Sequence, residues 1–244
     1  MNACARTAQP DFNSSQPMNQ IPERLIRVRE RIGEAARASG RSPDEITLLA
    51  VSKTKPVSDV LAAYEAGQRQ FGENYLQDAL PKIEAIREPD IEWHFIGRIQ
   101  SNKTADISRH FSWAHGLDNL KHAKRLSRQR PAELPALQVC LQVNLSNEAS
   151  KGGVEADDLP ELAAAVACLP QLRLRGLMTM PDPKTDAAAQ HAAFAGLRLL
   201  LQDLRTRGLD PDTLSMGMSA DMEAAIAEGS TMVRIGTDIF GART

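Results

Sequence analysis

The sequence predicts an α/β fold, a single closed (β/α)8 barrel of the TIM type. Three observations carry the prediction. Eight short apolar segments recur along the chain, amphipathic stretches of helical spacing separate them, and a further amphipathic helix precedes the first. Strict strand–helix alternation demands parallel pairing through right-handed crossovers, because a hairpin cannot reach a parallel neighbour. Eight such units close a barrel. An open doubly wound sheet is the alternative, and the missing G-x-G-x-x-G after the first strand stands against it.

Taken in order, ERLIRVRERIGEAARASG (23–40) spaces Leu25, Ile26 and Ile32 for a helix that stops at Gly40. LLAV (48–51) is a continuous apolar run, as suits a strand buried on both faces. A helix from about 57 to 66 ends at Gly67. Strands are then expected within 68–74, 91–97, 111–117, 136–146, 172–180, 212–219 and 231–237. Helices are expected near 75–87, 101–109, 119–129, 158–168, 187–207 and 219–228. No helix is expected after the eighth strand, so the N-terminal helix fills that gap in the outer ring. One barrel over residues 19–244 is the economical account, at the small end of the size range of roughly 200 to 400 residues.

Composition narrows the function classes. The 244 residues are 42% hydrophobic and 25% charged, ordinary globular usage, with a net charge of -2 that gives no basic excess for a phosphate backbone. Nucleic acid is not an expected partner. Cys4, Cys140 and Cys168 form no C-x-x-C pair, which points to neither a zinc site nor a disulfide framework but to a reducing cytoplasm. No apolar stretch reaches the roughly 18 residues of a membrane span. Residues 1–18 are rich in Asn, Gln, Ser and Pro, which predicts a disordered tail, with Met18 as a candidate alternative start.

In such a barrel, ligand-handling residues project from the carboxyl ends of the strands. Strand one ends in Ser52-Lys53-Thr54-Lys55-Pro56, an abrupt pair of ammonium groups after an apolar run. The period of two puts Lys53 and Lys55 on one side of the strand, so each disfavours the charged form of the other. The loops after strands seven and eight frequently build a phosphate site from backbone N–H groups. Here they hold Met216-Gly217-Met218-Ser219 and Arg234-Ile235-Gly236-Thr237. The two glycines let backbone approach an anion, and the Ser219 and Thr237 hydroxyls can donate. Ser219 also fits a plain N-cap of the helix from about 220. Asp221 and Glu223 in that helix's first turn suit its dipole but repel phosphate unless they point away.

A lysine that forms a Schiff base must be able to lose its proton, and a barrel mouth offers burial and neighbouring cations. Pyridoxal 5'-phosphate (PLP) needs this combination: an aldehyde for lysine, a phosphate for backbone donors and a ring nitrogen for a polar partner.

The segments LLAVSKTKP, QRQFGENYLQ, IEWHFIGRIQSNK, LRLRGLMTMP and LSMGMSADMEAAIAEGSTMVRIGTDIFGAR together resemble the pyridoxal phosphate homeostasis protein family, whose fold is the barrel of the alanine racemase N-terminal domain. The likeness runs from about Ile21 to Arg243. It implies that Lys53 forms the internal aldimine with PLP and that Arg234 faces the pyridine nitrogen. It also implies that Ser219, Gly236 and Thr237 hold the phosphate and that Asn74 and His94 flank the ring. The implied function is intracellular supply of PLP, without robust turnover, with PLP-dependent apo-enzymes as candidate recipients; a monomer is expected because a racemase-like dimer needs a further domain. A cation at the ring nitrogen disfavours its protonation and weakens the cofactor as an electron sink.

Two other readings stay open. An amino-acid racemase needs a second proton-transfer group on the far face of the cofactor, which alanine racemases bring from a further domain and a partner subunit; the chain ends seven residues after Thr237. A cofactor-free Schiff-base aldolase would use the same lysine and phosphate site. Lys55 is the fallback Schiff-base lysine. Lys151 is a loop cation that can meet an anion at the mouth, and Tyr75 is a packing residue with an acid–base role as the alternative. His110, His115, His122 and His191 show no ligand spacing, and no metal is expected.

Overall fold

A computed structural model describes residues 20–145, 152–181 and 186–242. Helix α1 (Ile21–Ala38) precedes strand β1 (Thr47–Val51). There follow α2 (Val57–Glu65), β2 (Gln70–Glu73), α3 (Leu76–Ala85), β3 (Glu92–Phe95), α4 (Thr104–His110), β4 (Trp113–Leu117) and α5 (Leu120–Gln129). The second half runs β5 (Leu137–Gln142), α6 (Leu159–Ala167), β6 (Leu172–Met178), α7 (Ala187–Thr206), β7 (Thr213–Ser215), α8 (Met222–Ala227), β8 (Met232–Ile235) and α9 (Thr237–Phe240). The strands close in sequence order, β1 to β8 and back to β1, all pairs parallel. The expected barrel is the fold.

Period-two geometry sorts the strand residues into two cores. Leu49, Val51, Ile96, Trp113, Cys140, Met178 and Met232 pack inside the barrel, while Leu48, Ala50 and Phe71 join the larger layer between strands and helices. Phe71, Phe95, Phe111 and Phe194 are among the largest fully buried side chains, each worth about 1.5–3 kcal/mol in area removed from water. The β6–β7 contact is tight enough to require glycine. A Cβ on Gly176 would stand 1.8 Å from the Thr213 carbonyl oxygen.

Two expectations are corrected. A short helix, α9, does follow the eighth strand, because the chain turns at once after β8 and buries Ile239 and Phe240. Helix α1 still completes the ring, burying Leu25, Val28, Ile32 and Ala36 and packing against α2, α8 and α9. The helix expected over 219–228 is only α8, six residues long, and its cap position is Asp221 rather than Ser219. The expected tail at 1–18, Lys151 and Arg243 lie outside the described residues.

Candidate functional site

The carboxyl ends of the strands surround a cavity of about 260 Å³. Its lining brings together Lys53, Asn74, Ser219, Arg234, Gly236 and Thr237, six residues drawn from the ends of four strands, with Lys55 beside them. Thr237 and Met180, both on the lining, are exposed, so the cavity opens to solvent.

Lys53 does not stand on the strand. β1 ends at Val51, and Ser52 to Lys55 form a tight turn in which the Lys55 N–H donates to the Ser52 carbonyl at 3.1 Å. Thr54 takes φ +63°, the left-handed region, which costs a β-branched residue about 1–3 kcal/mol. The shared strand face expected for the two lysines therefore gives way to a turn. Lys53 is half-buried on the cavity wall, and the Lys55 ammonium donates to the Ala242 carbonyl at 2.8 Å.

Arg234 leaves β8 on the inner face, two residues after Met232. Only 3% exposed, it is fixed by donation from Nη1 to the Ser215 carbonyl (2.6 Å) and hydroxyl (2.8 Å) and from Nη2 to the Thr179 carbonyl (2.9 Å). Burial pulls its pKa down to about 10 against the opposing pull of the Asp221 carboxylate, so it remains a cation at neutral pH.

Below Arg234 a buried polar line crosses the barrel. Ser215 Oγ lies 2.9 Å from His115 Nδ1, and His115 Nε2 lies 3.0 Å from His94 Nδ1. Arginine only donates, so the assignment consistent along the line has Ser215 accept from Arg234 and donate to His115, which donates through Nε2 to His94; His94 Nε2 then carries its proton with no hydrogen-bond partner among the described residues. His94 stacks on Trp113 with centroids 5.2 Å apart. Desolvation pushes His94 down to about 3; it also lowers His115, helped by His94 and the Arg234 charge, so both rings are neutral. His94 belongs to this interior line rather than to the cavity wall.

The loop after β7 answers the question raised by its acids. Asp221 Oδ1 accepts from the Met218 N–H at 2.6 Å, and Glu223 and Asp238 are drawn outward to Arg31 on α1, at 2.8 and 2.6 Å. Arg31 also reaches the Ser219 carbonyl at 3.3 Å. The acids are thus tied down and Ser219 is left on the lining. Gly217 serves packing rather than anion approach. Its φ is +95°, and a Cβ there would stand 2.6 Å from that of Ala225 in α8.

Sequence reasoning passed over His115, Ser215 and Arg31. His115 was legible as an inward residue, two positions from Trp113 on the same strand; Ser215 and Arg31 gave no signal beyond their positions, because their partners are 100 and 192 residues away. Asn119 caps α5 by accepting from the His122 N–H, and His191 pairs with Glu228, both away from the cavity.

The family described as alanine racemase, N-terminal domain, matches residues 25–244. The pyridoxal phosphate homeostasis protein of Pseudomonas aeruginosa is 61% identical over 226 residues, covering 93% of this chain and 97% of that protein. Its namesake from Escherichia coli is 56% identical over 229 residues, covering 93% and 98%. Among solved structures, PipY of Synechococcus elongatus with PLP bound superposes with a TM-score of 0.81 at 37% identity, covering 91% of this chain and 100% of that chain. Alanine racemase from Corynebacterium glutamicum, at 17% identity and a TM-score of 0.67 over 89% of this chain and 62% of that chain, shares the fold. With two curated relatives matched over nearly their whole length, this chain belongs to the pyridoxal phosphate homeostasis proteins, within the alanine racemase N-terminal domain family.

Proposed function

We propose that this chain binds PLP through Lys53 and acts in PLP homeostasis as a carrier, with residues 19–244 as the binding unit. The observation that carries the reading is the convergence on one small cavity of an amine, a rigid cation and a Ser/Gly/Thr cradle. The residues fit the cofactor. Lys53 offers the nucleophile, Ser219, Gly236 and Thr237 offer hydroxyl and backbone donors to a phosphate, and Arg234 offers N–H groups to a ring nitrogen. Asn74, also on the lining, carries a buried Oδ1 with no hydrogen-bond partner among the described residues.

When bound, PLP supplies an aldehyde for lysine and a conjugated ring that withdraws electrons from a substrate carbon. The chain's own residues restrain that second property. Arg234 stays cationic at neutral pH and has no acceptor to offer, so it holds the ring nitrogen unprotonated. The cavity is open at Thr237 and Met180, so water is not excluded as proton abstraction from carbon requires. Both features favour holding and release over turnover. The resemblance of the sequence to PLP homeostasis proteins and the PLP bound to PipY support the same reading. In it the chain works as a cytoplasmic monomer that yields PLP to PLP-dependent apo-enzymes. Among the described residues no helix is long and apolar enough to cross a membrane.

The test is an absorbance titration of the purified protein with PLP, followed by amino-acid racemisation and aldol-cleavage assays on the loaded and unloaded protein. A saturable visible band with neither activity is expected. Racemisation by the loaded protein would favour the enzyme reading, and a colourless protein that cleaves phosphosugars would favour the aldolase.

A further inference from the structure

We infer that the buried Glu73–Lys82 ion pair, neither member of which lines the cavity, is a positioning device that holds the turn carrying Lys53; the inference rests on the reading of Lys53 as the PLP-bonding lysine. The pair is almost dry, with side-chain exposures of 6% for Lys82 and 0% for Glu73, and its Nζ–Oε1 distance is 2.7 Å. The Lys82 ammonium makes a second contact, 2.7 Å to the Ser52 carbonyl oxygen. That oxygen belongs to the peptide joining Ser52 to Lys53, and it is also the acceptor of the turn-closing bond from Lys55. Glu73 Oε1 meanwhile accepts from the Ser52 hydroxyl at 2.6 Å. Ser52 is therefore gripped by its side chain and its carbonyl, and its N–H donates to the Gly72 carbonyl at 3.0 Å.

Stability alone does not account for this arrangement. A buried ion pair is often no better than two well-packed apolar side chains of like volume, since desolvation consumes the Coulombic gain. An apolar pair at 73 and 82 would fill the space but leave the Ser52 carbonyl without this buried donor. What the ion pair adds is direction. Thr54, immediately after Lys53, sits at φ +63°, a conformation that persists only where surroundings over-determine it. The surroundings that do so are Glu73 from the end of β2 and Lys82 from α3, and a relaxed turn would swing Lys53 along the cavity wall.

The experiment compares the unsubstituted protein with Glu73→Gln/Lys82→Met, which removes both charges together, and with Lys82→Arg, which keeps the charge but moves the donor. Two ligands are used. Pyridoxine 5'-phosphate lacks the aldehyde and reports the cradle; PLP condenses with the neutral Lys53 amine, forming a C=N bond as the aldehyde oxygen leaves as water with the two amine protons, and borohydride reduces that bond to a stable amine. The expected result for both variants is adduct formation slowed by about tenfold or more, with pyridoxine 5'-phosphate affinity kept within about twofold. Thr54→Gly added to the double variant restores part of the rate, because glycine takes a positive φ without the steric cost that threonine meets there. Adduct formation within about twofold of the unsubstituted rate in the folded variants, or loss of adduct and of pyridoxine 5'-phosphate binding in equal proportion, overturns the inference. Should the double variant fail to fold, Lys82→Arg carries the comparison alone. Failure of the underlying PLP reading looks different, since the unsubstituted protein then traps no adduct on Lys53.

Discussion

Arg31 and Glu223 meet at 2.8 Å across the outer ring, and the same guanidinium holds Asp238 at 2.6 Å, so one α1 side chain draws two carboxylates away from the loops that line the cavity. Release of those carboxylates puts negative charge beside the cradle. Arg31→Ala is expected to weaken binding of PLP or pyridoxine 5'-phosphate by roughly three- to tenfold at low salt, and by less as salt screens the exposed acids. Stability should fall by only about 0.5–1 kcal/mol, because the Arg31 side chain is 39% exposed. Calorimetric titration at two ionic strengths checks both signs.

The interior line makes stability pH-dependent in a stated direction. His94 and His115 are held neutral in the folded chain, while unfolded histidine titrates near 6.5. Below that value the unfolded chain binds the extra protons, so stability is full above about pH 6.5 and falls as pH drops toward the folded value near 3. For His94 alone the loss reaches about 2 kcal/mol at pH 5. His94→Gln should flatten the slope of unfolding free energy against pH between 6 and 4 by about one proton's worth, measured by urea titration at several pH values. An unchanged slope would mean that His94 is protonated in the fold.

Ser215 joins Arg234 to His115, and its loss touches both. Ser215→Ala leaves His115 Nδ1 buried without its partner and takes one acceptor from the Arg234 guanidinium, at an expected cost of about 1–3 kcal/mol. Thermal unfolding measures that cost. The spectrum of bound PLP should also shift if, as proposed, Arg234 faces the ring nitrogen, since that cation loses one restraint; an unmoved spectrum would count against that placement.

Two glycines predict opposite uses of space. Gly217→Ala forces a side chain into φ +95° and against Ala225, and is expected to cost at least about 2 kcal/mol in stability. Gly97→Ala places a Cβ 2.1 Å from the Asn74 carbonyl oxygen, so Asn74, a residue of the cavity lining, must move. Its expected signature is weaker ligand binding out of proportion to lost stability, read by paired melting and titration experiments.

Much of this architecture was legible in the sequence for a physical reason. Apolar runs such as LLAV and the 3.6-residue spacing of Leu25, Val28 and Ile32 are local signals, and β–α alternation admits few topologies. The rule that barrels place chemistry at strand ends gathers Lys53, Asn74, Arg234 and Gly236 from the sequence alone. What stayed hidden depends on distant partners or on backbone angles. Nothing local marks Glu73 and Lys82 as a pair that grips Ser52, and period-two counting failed at Lys55 because Thr54 turns the chain into the left-handed region. α9 escaped notice because four residues carry no helical period.

Whether Lys53 is the bonding lysine is settled most directly by reduction and peptide mapping. The purified protein is mixed with PLP, reduced with borohydride, digested and sequenced by mass spectrometry. The account predicts a single pyridoxyl-phosphate adduct on Lys53, absent from Lys53→Ala, which still binds pyridoxine 5'-phosphate in the same cavity. An adduct on Lys55 or elsewhere with Lys53 unmodified, or no adduct at saturating PLP, would contradict it.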